Sequence, residues 1–147
     1  METTELIELN VSMTSTDYSA ALGLRVLLDD NVIYESTHVA GEVEIKHTVS
    51  DADAEHNLIF ELFGKKLEHT KINEAGEILT DALLSIDSIE IDGIDILQMF
   101  KKISVYHHDF NGTNTPEDHK FFGLMGCNGT VTLKFTTPIY LWLLENM

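Results

Sequence analysis

What this 147-residue chain has little of is cysteine, positive charge and unbroken apolar sequence. One thiol, Cys127, leaves no internal disulfide framework and no cysteine-based zinc cage, so it reads as a small buried hydrophobe or a lone thiol. Nine Lys plus Arg, with Arg25 the only arginine, stand against 25 acids, a formal net charge of -16. That set cannot build the basic groove a phosphate backbone requires, which excludes nucleic acid and anionic membrane surfaces as partners. No apolar run approaches the ~20 residues of a spanning helix, and the last stretch, "PIYLWLLENM", is too short to cross a membrane. The first, "METTELIELN", has neither a positively charged start nor an apolar centre, so no secretion signal is expected. Catalytic signatures are missing as well: no Gly-x-Ser-x-Gly, no Gly-rich phosphate loop, no His-Glu-x-x-His and no Cys-x-x-Cys. The acids are so scattered that they nominate no particular glycosidase pair, and the expectation is a protein that is not an enzyme.

What is present is period-two alternation. Ile7, Leu9, Val11 and Met13 alternate with Glu8, Asn10 and Ser12, then Leu22, Leu24, Val26 and Leu28 follow, then Val43, Ile45 and Val49. Leu58, Phe60 and Leu62 share one face while Ile59, Glu61 and Phe63 share the other, as in an interior strand. Asp29-Asp30-Asn31 and Asp92-Gly93 supply tight hairpin turns, Asn128-Gly129 another, and Glu74-Ala75-Gly76-Glu77 a looser one. The stretch from Leu97 to Tyr106 reads as strand, Thr115-Pro116 opens at most one short helical turn, and the segment after Pro138 reads as a last strand. About ten short strands with almost no helix predict an all-β chain: one antiparallel β-sandwich of jelly-roll type spanning residues 1–147.

Within "SIEIDGIDI", a turn at Asp92-Gly93 sets Glu90 directly opposite Asp95, a like-charge pair that water must screen or a cation must bridge. Their hard oxygens, with Asp87 and Asp92 nearby, suit calcium, Ca2+, the one cofactor the chain suggests. The loop Asp51, Asp53, Glu55 has the same chemistry. A second cluster gathers His107, His108, Asp109, Asn111, Asn114, Glu117, Asp118 and His119. Imidazole with carboxylate suits zinc, but His107 and His108 point to opposite faces of a strand, so only one of them can join His119. Asn-x-Ser/Thr triplets at Asn10, Asn111 and Asn128 read as strand and turn residues. In the tail, Tyr140, Trp142 and Leu144 fall on one face of the expected strand and Ile139, Leu141 and Leu143 on the other; the first trio is the candidate subunit interface.

Two resemblances follow from these motifs. "LGLRVLLDDNVIYESTHVAGEVEIKHTV", "AEHNLIFELFGK" and "DALLSIDSIEIDGIDI" together are similar to the layout of small calcium-dependent xylan-binding modules, which implies a jelly-roll scaffold. The Asp-rich loop with tryptophan that holds calcium and sugar in those modules has no counterpart, so the scaffold alone carries over. The run "DFNGTNTPEDHKFFGLMGCNGTVTLKFTTPIYLWLLENM" with the hairpin resembles small virion-associated proteins of tailed bacteriophages, notably those of marine cyanobacteria. That resemblance implies a capsid decoration, head-fibre or tail-fibre component, assembled in the host cytoplasm and partnered by itself or by a capsid or tail protein. The leading expectation is therefore a non-catalytic structural or accessory module. The alternative is a calcium-dependent carbohydrate-binding module recognising polysaccharide, with Tyr18, Tyr34 and Tyr106 for sugar stacking. A metal-dependent hydrolase using His108 and His119 is the third.

Overall fold

A computed structural model describes residues 5–17, 19–109 and 115–146. Among these residues the alternating segments become two stacked antiparallel sheets. The first runs Leu124–Met125 (β12), Leu84–Ile91 (β8), Leu6–Ser15 (β1), Glu42–Ser50 (β4), with Ile94–Asp95 (β9) paired to β8. The second runs Glu117–Lys120 (β11), Val105–His108 (β10), Gly129–Thr137 (β13), Ala54–Phe63 (β5), Gly23–Leu28 (β2), Asn31–Ser36 (β3). A small hairpin, Thr70–Ile72 (β6) with Ile78–Asp81 (β7), stands apart, and two short helices, Leu97–Ile103 (α1) and Ile139–Asn146 (α2), close the ends. The architecture is an antiparallel, jelly-roll-like β-sandwich.

Period two decides which side chains enter the space between the sheets. Leu9, Val11, Met13, Ile86 and Ile89 from the first sheet meet Leu24, Val26, Leu58, Phe60, Val131 and Leu133 from the second, all fully buried. Each such side chain contributes about 1.5–3 kcal/mol by leaving water, before the entropy cost of ordering it. Phe100 stands edge-on to Phe60 and to Phe121, with centroids 5.8 and 5.5 Å apart, and closes the core. β5, apolar on both faces, is an interior strand between β13 and β2.

The two Asp-containing turns form as their chemistry dictates. Asp29 and Asp30 take φ of 51° and 67°, and Asp92 and Gly93 take 52° and 78°, the left-handed pair a two-residue hairpin requires. Asp29 also binds across to β5: its carboxylate accepts the Asn57 N–H at 2.8 Å and pairs with His56 Nδ1 at 2.6 Å.

Three segments depart from expectation. Leu97–Ile103 is a helix, because Ile96 and Phe100, four apart, both enter the core, and the Asp95 carboxylate accepts the Leu97 N–H at 2.9 Å just after the turn. The segment after Pro138 is also helical. Its buried residues are Ile139, Trp142 and Leu143, a spacing of three and four, and the Asp51 carboxylate accepts the Ile139 N–H at 2.7 Å. Glu117–Lys120, expected as a helical turn, is an edge strand paired with β10. Asn128-Gly129 is likewise a junction rather than a hairpin: the Asn128 side chain accepts the Lys65 N–H and donates to the Lys65 carbonyl, both at 2.9 Å.

Candidate functional site

The outer face of the second sheet carries an unbroken line of polar side chains. Strand register pairs Glu35 with Arg25, Arg25 with Glu61, Glu61 with Thr130, Thr130 with His107, and His107 with Asp118, one residue from each of six strands. Five inter-strand steps of ~4.8 Å make this row about 24 Å long. Side-chain bonds brace its two ends. Arg25 donates from Nε to Glu35 at 2.8 Å and from Nη1 to Glu61 at 2.5 Å, and those hydrogen bonds, Glu35 first, hold its guanidinium firmly protonated. His107 Nδ1 lies 2.8 Å from Asp118 Oδ1. A second, largely apolar row runs alongside: Val32, Leu27, Ile59, Thr132, Val105.

Two depressions flank the His107–Asp118 pair. One, about 470 Å³, is lined by Glu61, Phe63, His107, Asp109, Pro116 and Asn128 among others. The Phe63 ring lies over Gly23, where a Cβ would sit 2.3 Å from it, and the Arg25 guanidinium is 5.0 Å from its centroid. The other, about 490 Å³, lies between Ile103, Val105, Asp118, Thr132 and Lys134. Such concave surfaces, lined by apolar side chains together with polar groups, suit a small or extended polar ligand.

His107 and His108 face opposite ways, as expected of strand neighbours. His108 is buried, stacked on His119 with centroids 4.2 Å apart and tilted against Tyr106 at 4.5 Å. Burial, then the neighbouring His119, pushes the His108 pKa down, against the pull of Asp109, so the ring is neutral at pH 7. Behind it, the Tyr106 hydroxyl donates to the Cys127 carbonyl and accepts the Cys127 N–H at 2.8 Å. Burial pushes the Cys127 thiol up, so it is protonated at neutral pH. Among the described residues, no group of three or more His, Cys, Asp or Glu is placed to hold one metal ion. Asn111, Asn114 and Tyr18 lie outside the described residues.

On the opposite sheet Glu90 does stand across from Asp95. The four hairpin acids do not converge, because each of the others has work of its own. Asp87 accepts from Thr14 and, at 2.7 Å, from Ser85; Asp92 accepts the Tyr140 hydroxyl at 2.5 Å; Asp95 holds the Leu97 N–H. Beside Glu90 in register is Asn10, whose buried Oδ1 has no hydrogen-bond partner among the described residues. Glu90 and Asp95 with this amide oxygen fall short of the six to eight oxygens calcium takes.

The tail trio is split by the helix. Trp142, 5% exposed, turns inward onto Phe135 at 6.1 Å, while Tyr140 at 53% and Leu144 at 71% stay in solvent. They line an apolar groove of about 410 Å³ against Ile94 and Met99. Of the tyrosines expected to stack on sugar, Tyr106 is buried and Tyr34 is packed against the core. Phe63 was missed as an aromatic of the cleft, as was a buried ion pair: Lys65, its side chain 1% exposed, reaches Asp81 at 2.5 Å, and Thr70 donates to the same carboxylate at 2.7 Å.

No family model and no curated protein matches the chain. Among solved structures, the fold is similar to vCBM60 in complex with galactobiose, at 10% identity over 85% of this chain and 95% of that one, TM-score 0.48. It is similar also to the selenomethionine form of vCBM60, at 12% identity over 86% and 88%, TM-score 0.46. The latter is described among two families of calcium-dependent carbohydrate binding modules linked by circular permutation.

Proposed function

We propose that this protein is a non-catalytic carbohydrate-binding module that holds an extended, uncharged glycan across the outer face of its second sheet. The observation that carries the reading is the Glu35–Arg25–Glu61–Thr130–His107–Asp118 row, which sets fixed planar hydrogen-bonding groups in a line beside an apolar row. Sugar hydroxyls match carboxylate, guanidinium and imidazole edges, and their C–H faces match Phe63 and the neighbouring Leu27 and Ile59. A net charge of -16 repels acidic polysaccharides and leaves neutral ones as the partner. The Glu90–Asp95 pair, whose oxygens fall short of a calcium shell, lies on the other sheet, away from this face.

Calorimetric titration with a panel of neutral oligosaccharides tests this, in calcium and in chelator. Binding is expected in both, weakened about tenfold by H107A, the scale of a lost anchoring contact. Indifference of binding to H107A and to a bulky T130R, or strict dependence on calcium, would overturn the assignment of the face.

The exposed Tyr140 and Leu144 favour a second reading, assembly on protein. In it the chain is a virion accessory protein, a capsid decoration or a fibre component, joined to itself or to a larger lattice in the host cytoplasm. Light scattering across a concentration series distinguishes a self-associating protein from a monomer.

A further inference from the structure

We propose that the groove between the Asp92-Gly93 hairpin and α2 is a docking site for an apolar segment flanked by lysine or arginine, presented by another protein. Ile94, Ile96, Met99, Tyr140, Leu143 and Leu144 line it, Ile96 buried, and among the described residues no Lys or Arg does. Large side chains left in solvent at the same spot, Leu144 above all, are what a partner removes from water.

The rim decides which partner. Asp95 belongs to the lining, with Glu90 opposite it in register, and Asp92 holds the Tyr140 hydroxyl at 2.5 Å. Glu145 follows Leu144 on α2 and is exposed. Asp51 and Glu5 lie near enough to join Asp92 in pushing the Tyr140 phenol up, after its hydrogen bond to Asp92. An apolar channel inside an acidic border fits an amphipathic segment with cationic flanks, laid helix-in-groove. A second copy is the wrong occupant, because it brings the same carboxylates and a charge of -16 to the same place.

The groove is also preformed. Trp142 packs α2 onto Phe135, the Asp51 carboxylate caps its first N–H at 2.7 Å, and the Tyr140–Asp92 bond joins helix to hairpin. Little ordering is left for binding to do. The inference rests on the assembly reading and is independent of the glycan face, which lies on the other sheet.

Three labelled short peptides test it by fluorescence anisotropy on the whole protein: Leu/Lys amphipathic, Leu/Glu with the same leucine pattern, and Ser/Lys with the same charge and no leucine. The Leu/Lys peptide is expected to bind at least about tenfold more tightly than either other, with affinity falling as salt rises. L144S is expected to weaken it about tenfold, while L141S, also exposed on α2 but outside the groove lining, leaves it unchanged. Equal binding of the Ser/Lys peptide, or of Leu/Lys to L144S, would overturn the site. A wild-type dimer dissolved by L144S would overturn the partner, by showing that a second copy fills the groove. Circular dichroism of both variants excludes unfolding as the cause.

Discussion

His107 and His108 are adjacent in sequence and opposite in environment: His107 stands outward beside Asp118, and His108 is buried against His119 and Tyr106. An unfolded imidazole titrates near ~6.5. Burial and His119 lower that value for His108, with His107 adding slightly and Asp109 opposing. The unfolded chain therefore binds the extra proton first, and stability falls as pH drops below ~6.5 toward the folded value, with no contribution above that range. H108F keeps a ring in the stack and cannot titrate, so its urea midpoint should depend less on pH below ~6.5 than the wild type's. Identical pH profiles would show that His108 is not the group responsible. Lys65 makes a second residue-scale test: K65M leaves the Asp81 carboxylate, among the described residues, with the Thr70 hydroxyl and should cost about 3 kcal/mol in urea unfolding, and a paired change of both residues should recover much of it. Nothing in "FGKK" marked Lys65 as buried, because a lysine next to a strand end is ordinarily solvated and its partner lies 16 positions on.

At the scale of elements, what could be read in advance was what local chemistry decides. Asp-Asp and Asp-Gly tolerate positive φ, so both hairpins stand where those dipeptides placed them. The helices were misread for the opposite reason. Seven or eight apolar-rich residues match both a two-residue and a 3.6-residue period, and which one forms depends on distant contacts: Phe100 on Phe60 for α1, Trp142 on Phe135 and Asp51 at the first turn for α2. Two glycines separate conformational need from spatial need. Gly93 has φ of 78° with open space around it, so G93A should cost about 1 kcal/mol. At Gly129 a Cβ would sit 2.2 Å from the His107 carbonyl oxygen, so G129A must push two central strands apart. Urea midpoints should fall much further for G129A than for G93A; the reverse order would mean the β10–β13 register is not as described.

For the whole molecule, composition sets the sign of the surface charge, and topology decides which side chains become neighbours. The acid excess was plain from the residues, and so were the sandwich and its core faces. The polar row on the second sheet was not, because its six members lie between positions 25 and 130 and become neighbours only when β3, β2, β5, β13, β10 and β11 assemble in register. Arg25, as the chain's one arginine, and His107 and Asp118, as members of the histidine cluster, stood out separately, but nothing local tied Arg25 to glutamates 10 and 36 residues away. The hairpin acids show the converse: conspicuous in sequence, they are divided in space among Thr14, Tyr140 and the start of α1. The outer face of the second sheet as a glycan platform is tested most directly by amide chemical-shift mapping during titration with neutral oligosaccharides. The expected result is perturbation centred on Arg25, Glu61, Thr130, His107 and Asp118. Shifts confined to the Glu90–Asp95 hairpin, or none with any sugar in the panel, would contradict it.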